Sequence, residues 1–351
     1  MSPSKHMNSI LTHLGFSLGM GLCGMSFGQP QFDLSDTDAE TEITSSQSFS
    51  RQVFLMGTWL SMELESKDAD VLSEQILATI ESVETRLSVW RNDSEVSQCN
   101  ALKHGSQRKL SPALASDIQR AKWWSDWSSN RFAPLEARSF QNHQSNPQSQ
   151  TNVAQTNVAQ TNAAQTNAAQ PTDWLLSDGT LQKNHPEARI DTDAFAKGAA
   201  LEAVRQILPS HAKVALNFGG QVLVHNGSWT GAISASTDRH NPELELCLTE
   251  GSLSSSGTTQ RKNRIRDPET GGTAATQGHV TVWAPNAFDA DCASTACFLL
   301  GPSEAIRRVN ATPNLECRFQ TIASDGRIET IESSGWKKRF PTFMPDKFSN
   351  P

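Results

Sequence analysis

Leu72, Ile76, Ile80, Val83 and Leu87 recur at steps of three and four with polar residues between them, which predicts a helix over residues 68–87 with one buried stripe. Upstream, Val53, Leu55, Trp59, Met62 and Leu64 have the character of a strand pair or a bent strand, with Gly57 as an irregularity. Ser111-Pro112 opens a second helix, serine as cap and proline in the first turn; Leu114, Ile118 and Ala121 form its inner face toward Trp123, Trp124 and Trp127. Tryptophan is usually buried, so these rings read as core and not as a ligand box. In the second half a helix over residues 193–208 ends at Pro209, with Asp191 or Asp193 near its positive end. Strands are expected at 214–218, 221–225, 231–234 and 244–248 with glycine turns between them, then a strand at 279–284 leading into a helix at 289–300. A hairpin of 317–323 and 327–331, joined by Ser324-Asp325-Gly326, closes the pattern.

Helices and strands are mixed and hairpins are plentiful, which favours an α+β fold with mixed or antiparallel sheets and packed helices over a doubly wound parallel sheet. The pattern also marks where structure is not expected. Residues 139–171 contain four tandem Gln-Thr-Asn-Val/Ala-Ala copies, from Gln150 to Ala169, with no apolar side chain larger than valine. Such a segment cannot offset its ordering entropy, and its five-residue period fits neither a solenoid nor a heptad, so it reads as a disordered insertion. Residues 29–50, polar and serine-rich, read as a flexible tether, and ordered sequence starts near Arg51. Residues 341–351 form a tail.

Residues 1–28 read as an export signal: Lys5 and His6, an interrupted apolar run from Ile10 to Phe27, then Ser26-Phe27-Gly28 as a small-x-small cleavage site. The run falls short of the roughly 20 apolar residues a bilayer core requires. Met20-Gly21-Leu22 before Cys23 is a poor site for lipid processing. An exported, periplasmic or cell-envelope protein is expected, with any membrane association through the N-terminus alone. Cleavage would leave Cys99, Cys247, Cys292, Cys297 and Cys317, without C-x-x-C spacing, which disfavours a zinc knuckle. The net charge of -7 and the lack of a Lys/Arg cluster exclude nucleic acid as an expected partner. An anionic ligand would then need a local device.

Four segments supply one: Asp191-Thr192-Asp193-Ala194-Phe195-Ala196-Lys197-Gly198, Asn217-Phe218-Gly219-Gly220, Ser256-Gly257 with Arg261 leading into Asp267-Pro268-Glu269-Thr270-Gly271, and Asp291-Cys292-Ala293-Ser294-Thr295. Together they offer two acidic groups, hydroxyls, a lysine and glycine turns, equipment for a cation and a phosphate in one cleft. Asp291 and Thr295 stand one helical turn apart, so a carboxylate and a hydroxyl project from one face. Each feature also has a plain structural reading: Asp291 as a helix cap, Lys197 as a solvated lysine, Gly219-Gly220 as an ordinary hairpin turn.

With Met56-Gly57-Thr58, Leu87-Ser88-Val89-Trp90, Asp93-Ser94-Glu95 and Asn100, these segments resemble, in order and spacing, the FAD:protein FMN transferase family, the ApbE-like proteins. The resemblance runs from about Val53 to Trp336. It implies an ApbE-like, T-fold-related single domain, with residues 51–138 and 172–340 as its two parts around the insertion. It further implies a Mg²⁺-dependent enzyme that moves FMN from FAD onto a Ser or Thr hydroxyl of an acceptor flavoprotein and releases AMP. Carried over, the metal would sit on Asp291, Thr295 and the backbone oxygen of Ala194. FAD would contact Met56, Trp90, Arg131, Phe132, Ala133, Asp191, Lys197 and Ile265. Asp291, Lys197 and Arg264 would serve the chemistry.

The chain departs from the family pattern at several positions. Arg264 replaces a histidine, and a guanidinium cannot act as a base near neutral pH. Asp193-Ala194 replaces a Gly-Gly, Ala133 an acidic residue, and Trp90 stands where the family often has tyrosine. These changes motivate two alternatives: an FAD-binding or scavenging protein impaired in transfer, and a metal-dependent FAD pyrophosphatase.

Overall fold

The computed structural model describes residues 25–26, 47–135, 173–234, 242–258, 265–268, 272–323 and 325–341. The expected leader apart from Met25–Ser26, the expected tether up to residue 46, the repeat segment, Arg264 and the tail from residue 342 lie outside the described residues. The chain begins with β1 (Met25–Ser26), β2 (Gln47–Leu55), β3 (Thr58–Ser66), α1 (Ala69–Leu87), α2 (Glu95–Asn100), β4 (Gln107–Lys109) and α3 (Pro112–Trp127). It continues through β5 (Trp174–Ser177), β6 (Thr180–Lys183), α4 (Ala196–Ile207), β7 (Lys213–Phe218), β8 (Gln221–His225), β9 (Trp229–Ser234), β10 (Pro242–Leu248) and β11 (Gly251–Gly257). The last elements are β12 (Gly278–Ala284), α5 (Ala287–Leu300), α6 (Pro302–Asn310), β13 (Glu316–Ile322), β14 (Ile328–Glu332) and α7 (Trp336–Arg339).

Eight strands form one sheet in the order β2-β3-β7-β8-β11-β12-β13-β14, and every neighbouring pair is antiparallel. The sheet is therefore a meander in chain order, with the helices inserted as excursions. Period-two alternation divides its side chains between two cores. Leu60, Met62, Leu64, Val214, Leu216, Leu223, Val280, Val282 and Phe319 face a helical layer in which α4 packs between α1 and α5. Ala215, Val222, Val224, Leu253 and Trp283 face the other way, onto Trp229, Ile233, Leu246 and Leu248 of β9 and β10 and Trp336 of α7. The strands β1, β9 and β10 make a small second sheet, and β4, β6 and β5 a third.

The α+β expectation holds. The stripe of Leu72, Ile76, Ile80, Val83 and Leu87 is buried along α1, and Ser111 caps α3 by accepting from the Leu114 N–H at 3.2 Å. Five differences have physical causes. Ladder pairing with Ser66 to Met62 orders Gln47 to Arg51, so β2 begins before Arg51, and pairing of Met25 and Ser26 with Ile233 and Ala232 places β1 inside the expected leader. Gly57 is a turn residue: Leu55 pairs with Thr58, and Met56 and Gly57 both have positive φ, 45° and 72°, the two-residue hairpin connection whose twist matches the flanking strands. Trp124 is buried, but Trp123 on the outer side of α3 is 52% exposed. α4 starts at Ala196, with Phe195 and not an aspartate at its cap, because Asp191 spends Oδ1 on the Asp193 N–H at 3.0 Å.

A Cβ added at Gly57 meets nothing within 4 Å, so the cost of Gly57→Ala is the left-handed backbone alone. About 1 kcal/mol of destabilisation is expected, read as a lower urea midpoint at unchanged slope. An unchanged midpoint would show that the hairpin does not hold this turn.

Candidate functional site

α4 and α5 approach at Gly198, where a Cβ would lie 2.6 Å from the Ala287 carbonyl oxygen, 2.7 Å from Asp291 Cβ and 2.9 Å from Phe288 Cα. Only glycine lets the first turn of α4 sit this close to α5. Phe195 and Phe288, both buried, pack with ring centroids 5.4 Å apart and fix the same contact. The approach delivers Asp291 to the N-terminus of α4: its Oδ2 accepts the Gly198 N–H at 2.8 Å. The first backbone donors of a helix have no partner within it, and the helix dipole favours an anion there. Phe195 provides no side-chain cap, so Asp291 supplies the missing acceptor from another helix. Its own helix is capped by Asn286, which accepts from the Asp289 N–H at 2.8 Å. The simple reading of Asp291 as the cap of α5 therefore fails.

Asp291 is 4% exposed, and its second oxygen is also occupied. Oδ1 lies 3.3 Å from Lys197 Nζ and accepts from Ser254 Oγ at 3.3 Å. The alternation of β11 turns Ser254 and Ser256 toward α5, while Leu253 points into the opposite core. Ser256 Oγ is 2.8 Å from Ser294 Oγ and 3.2 Å from Thr295 Oγ1. Ser294 Oγ donates to the Asp291 carbonyl at 2.9 Å. Asp291, Lys197 and Thr295 are thus brought into one network with three serines, and Ala194 lies half-buried just before α4.

Around this network the register gathers the turns. Phe218 pairs with Gln221, leaving Gly219 and Gly220 as a second two-residue turn with φ of 59° and 90°. Gly219 donates to the Trp59 carbonyl at 2.9 Å, and a Cβ there would lie 2.7 Å from Thr58 Oγ1. The Met56-Gly57 and Gly219-Gly220 turns therefore lie side by side, with Met56 half-buried. Gln221 bridges sheet and helix by donating to the Ala287 carbonyl at 2.7 Å.

Arg131 Nη2 pairs with Asp267 Oδ2 at 2.8 Å and donates to the Leu299 carbonyl at 3.3 Å. The next residues reach Asp191, whose N–H donates to the Pro134 carbonyl at 2.8 Å. Ala133 is half-buried and Ile265 packs partly against the core. Phe132 is 1% exposed, so its ring is a core wedge and presents no face to a ligand. Trp90 has an open ring, 84% exposed, after the C-terminus of α1, which Thr192 Oγ1 ties down through the Leu87 carbonyl at 2.7 Å.

Among the described residues no group of three or more His, Cys, Asp or Glu is placed to hold a metal. The oxygens present are one carboxylate, hydroxyls and backbone carbonyls, all hard donors. That set fits Mg²⁺ with water and substrate phosphate completing its shell, and does not fit zinc or copper. Sequence reasoning gave no site role to Ser294 or Gln221 and missed Ser254 together with β11 itself. The segment Gly251-Ser252-Leu253-Ser254-Ser255-Ser256-Gly257 has a single large apolar residue, so it carries no strand signal. Its partners on both edges make it one.

His279 pairs with Gly257 across the ladder but shares the face of Thr281, whose hydroxyl meets Ser255 at 2.8 Å. The pleat directs it away from Asp291. Burial first and the nearby Arg318 charge second push its pKa down to about 4.

The ApbE family model matches residues 56–319. A protein of Treponema pallidum named FAD:protein FMN transferase is 23% identical over 315 residues, covering 80% of this chain and 86% of that protein. Solved structures that share the fold include two flavin transferases. The flavin transferase ApbE from Vibrio cholerae has a TM-score of 0.68 at 19% identity, covering 84% of this chain and 99% of that one. The apo form of the Pseudomonas stutzeri flavinyl transferase ApbE has a TM-score of 0.68 at 19% identity, covering 86% and 99%.

Gly198→Ala drives a Cβ into backbone atoms of α5 and should cost about 3 kcal/mol or more, measured as a lowered unfolding midpoint. A loss below about 1 kcal/mol would show that α4 and α5 separate easily. For His279 the folded pKa lies below the unfolded one, so the unfolded chain takes up the proton first. The resulting stability is complete above about pH 6.5 and is lost as pH falls from there through 4, by up to about 3 kcal/mol. His279→Asn should flatten the decline between pH 7 and 4 in urea unfolding. A decline as steep as in the wild type would show that the imidazole is solvated.

Proposed function

The chain belongs to the ApbE family, and from that premise we propose that it is a Mg²⁺-dependent FAD:protein FMN transferase, which moves FMN onto a Ser or Thr hydroxyl of an acceptor flavoprotein and releases AMP. The observation that carries the proposal is the trapped carboxylate: Asp291, 4% exposed, held by Lys197, the α4 N-terminus and Ser254, one helical turn from Thr295. A buried carboxylate beside a lysine and hydroxyls, at the end of a helix that attracts anions, suits a diphosphate bound through a hard cation.

In this reading Asp291, Thr295 and the Ala194 carbonyl hold Mg²⁺, which supplies a Lewis acid for the diphosphate oxygens. Lys197 adds a second positive charge where negative charge grows as the pyrophosphate bond breaks. The open ring of Trp90 offers a stacking surface for a heteroaromatic ring. Met56, Arg131, Ala133, Asp191 and Ile265 line the dinucleotide, with Phe132 contributing through its backbone. The acceptor hydroxyl oxygen forms its bond to the FMN phosphorus as the diphosphate P–O bond breaks, and the hydroxyl proton leaves with the AMP phosphate. Arg264 keeps its proton at neutral pH and His279 faces away, so the reaction rests on positioning and charge neutralisation. The export-signal pattern read in residues 1–28 supports the reading of an exported, periplasmic or cell-envelope enzyme. No helix among the described residues is long and apolar enough to cross a membrane.

Purified protein, FAD, Mg²⁺ and an acceptor flavoprotein domain should yield flavin fluorescence on the denatured acceptor with release of AMP. Asp291→Ala should lower the rate about a hundredfold or more, comparable to the loss of a key electrostatic group. Transfer by Asp291→Ala at the wild-type rate would remove the assigned metal site. The exchange of histidine for Arg264 favours one second reading, an FAD-holding protein, which tight FAD binding without AMP release would establish. FMN and AMP formed without an acceptor would instead mark a pyrophosphatase.

A further inference from the structure

Asp291 already has a cation on it. Lys197 Nζ sits 3.3 Å from Oδ1, with the lysine side chain 29% exposed and the aspartate side chain 5%. A carboxylate this buried is costly without a positive partner. Asp289, two residues earlier, directs its charge elsewhere: Oδ1 accepts from Trp124 Nε1 at 2.9 Å and lies 3.4 Å from Arg120 on α3. The three groups on Asp291 differ in their freedom to leave. The Gly198 N–H is backbone, locked in the first turn of α4 by the contact with α5. Ser254 is held in the β11–β12 ladder opposite Val282 and is 2% exposed. Lys197 alone is charged, ends a flexible four-carbon stem, and reaches solvent.

Resting on the reading of Asp291 as the metal carboxylate, we propose that Lys197 is an exchangeable internal counter-ion. It neutralises Asp291 while the site holds no metal, gives up Oδ1 when a divalent cation binds, and then turns its freed ammonium to the diphosphate of the dinucleotide. The two cations compete for one carboxylate oxygen before substrate arrives and act together on the substrate's phosphates afterwards. Lys197 therefore weakens Mg²⁺ binding to the free enzyme, and FAD, by drawing Lys197 away, strengthens it. By linkage Mg²⁺ strengthens FAD binding by the same factor.

Calorimetric titration of Mg²⁺ into the full chain without FAD tests this on the wild type, Lys197→Met, Lys197→Arg and Asp291→Asn. Lys197→Met should bind Mg²⁺ roughly tenfold more tightly than the wild type, the scale of a partly buried ion pair. Lys197→Arg should stay near the wild type, and Asp291→Asn should lose binding. A second readout needs no variant: acylation of Lys197 by an amine-reactive ester, followed by peptide mass spectrometry, should speed up as Mg²⁺ is added and saturate with binding. Mg²⁺ binding to Lys197→Met no tighter than to the wild type, or Lys197 acylation indifferent to bound Mg²⁺, overturns the exchange and leaves the metal site standing. Absence of Mg²⁺ binding in the wild type, or equal binding by Asp291→Asn, overturns the metal reading and the exchange with it.

Discussion

The contact at Gly198 is the constraint on which the site depends. A missing side chain lets α4 approach α5 until the backbone of one helix meets a carboxylate of the other. Burying a carboxylate to this degree is costly, and the donors around Asp291 offset that cost. Two of them, the Gly198 N–H and the Lys197 ammonium, arrive through the same first turn of α4. Packing and electrostatics are one arrangement here, since moving the helices apart would expose the core around Phe195 and Phe288 and strip Asp291 of these two partners.

The antiparallel meander provides the rest of the frame. Each hairpin returns the chain to the end of the sheet it left, so two-residue turns far apart in sequence come to lie beside each other. Met56-Gly57 and Gly219-Gly220 meet through the Gly219 to Trp59 hydrogen bond and the close fit of Gly219 over Thr58. β11 then carries a row of small hydroxyls under α5. Larger apolar residues in place of Ser254 and Ser256 would remove the donor to Asp291 and the hydroxyl beside Thr295.

Much of the architecture was legible in the amino-acid order. The stripe of α1, the Ser111-Pro112 start of α3, the β7–β8 hairpin and the closing β13–β14 hairpin all follow from periodicity and turn chemistry, which are local. What escaped was non-local. The serine-rich β11 is a strand because β8 and β12 pair with it. The start of α4 shifts to Ala196 because Asp191 closes a turn on Asp193. Trp123 is exposed because only one side of α3 meets α5, where Trp124 reaches Asp289.

For the site, the sequence by itself determined the cast: an aspartate and a threonine one turn apart, a lysine followed by glycine, and glycines at the turns, in an order shared with one family. Residue types and short spacings are local quantities, and they survive in any correct reading of the chain. Only the tertiary structure decided that Asp291 serves the N-terminus of α4 and not that of α5, that Lys197 is its counter-ion, that Phe132 is sealed in the core, and that His279 faces the other side of the sheet. Those outcomes depend on which backbones approach and on which side of a pleat a residue falls, and both are set by long-range packing that no short stretch of sequence contains.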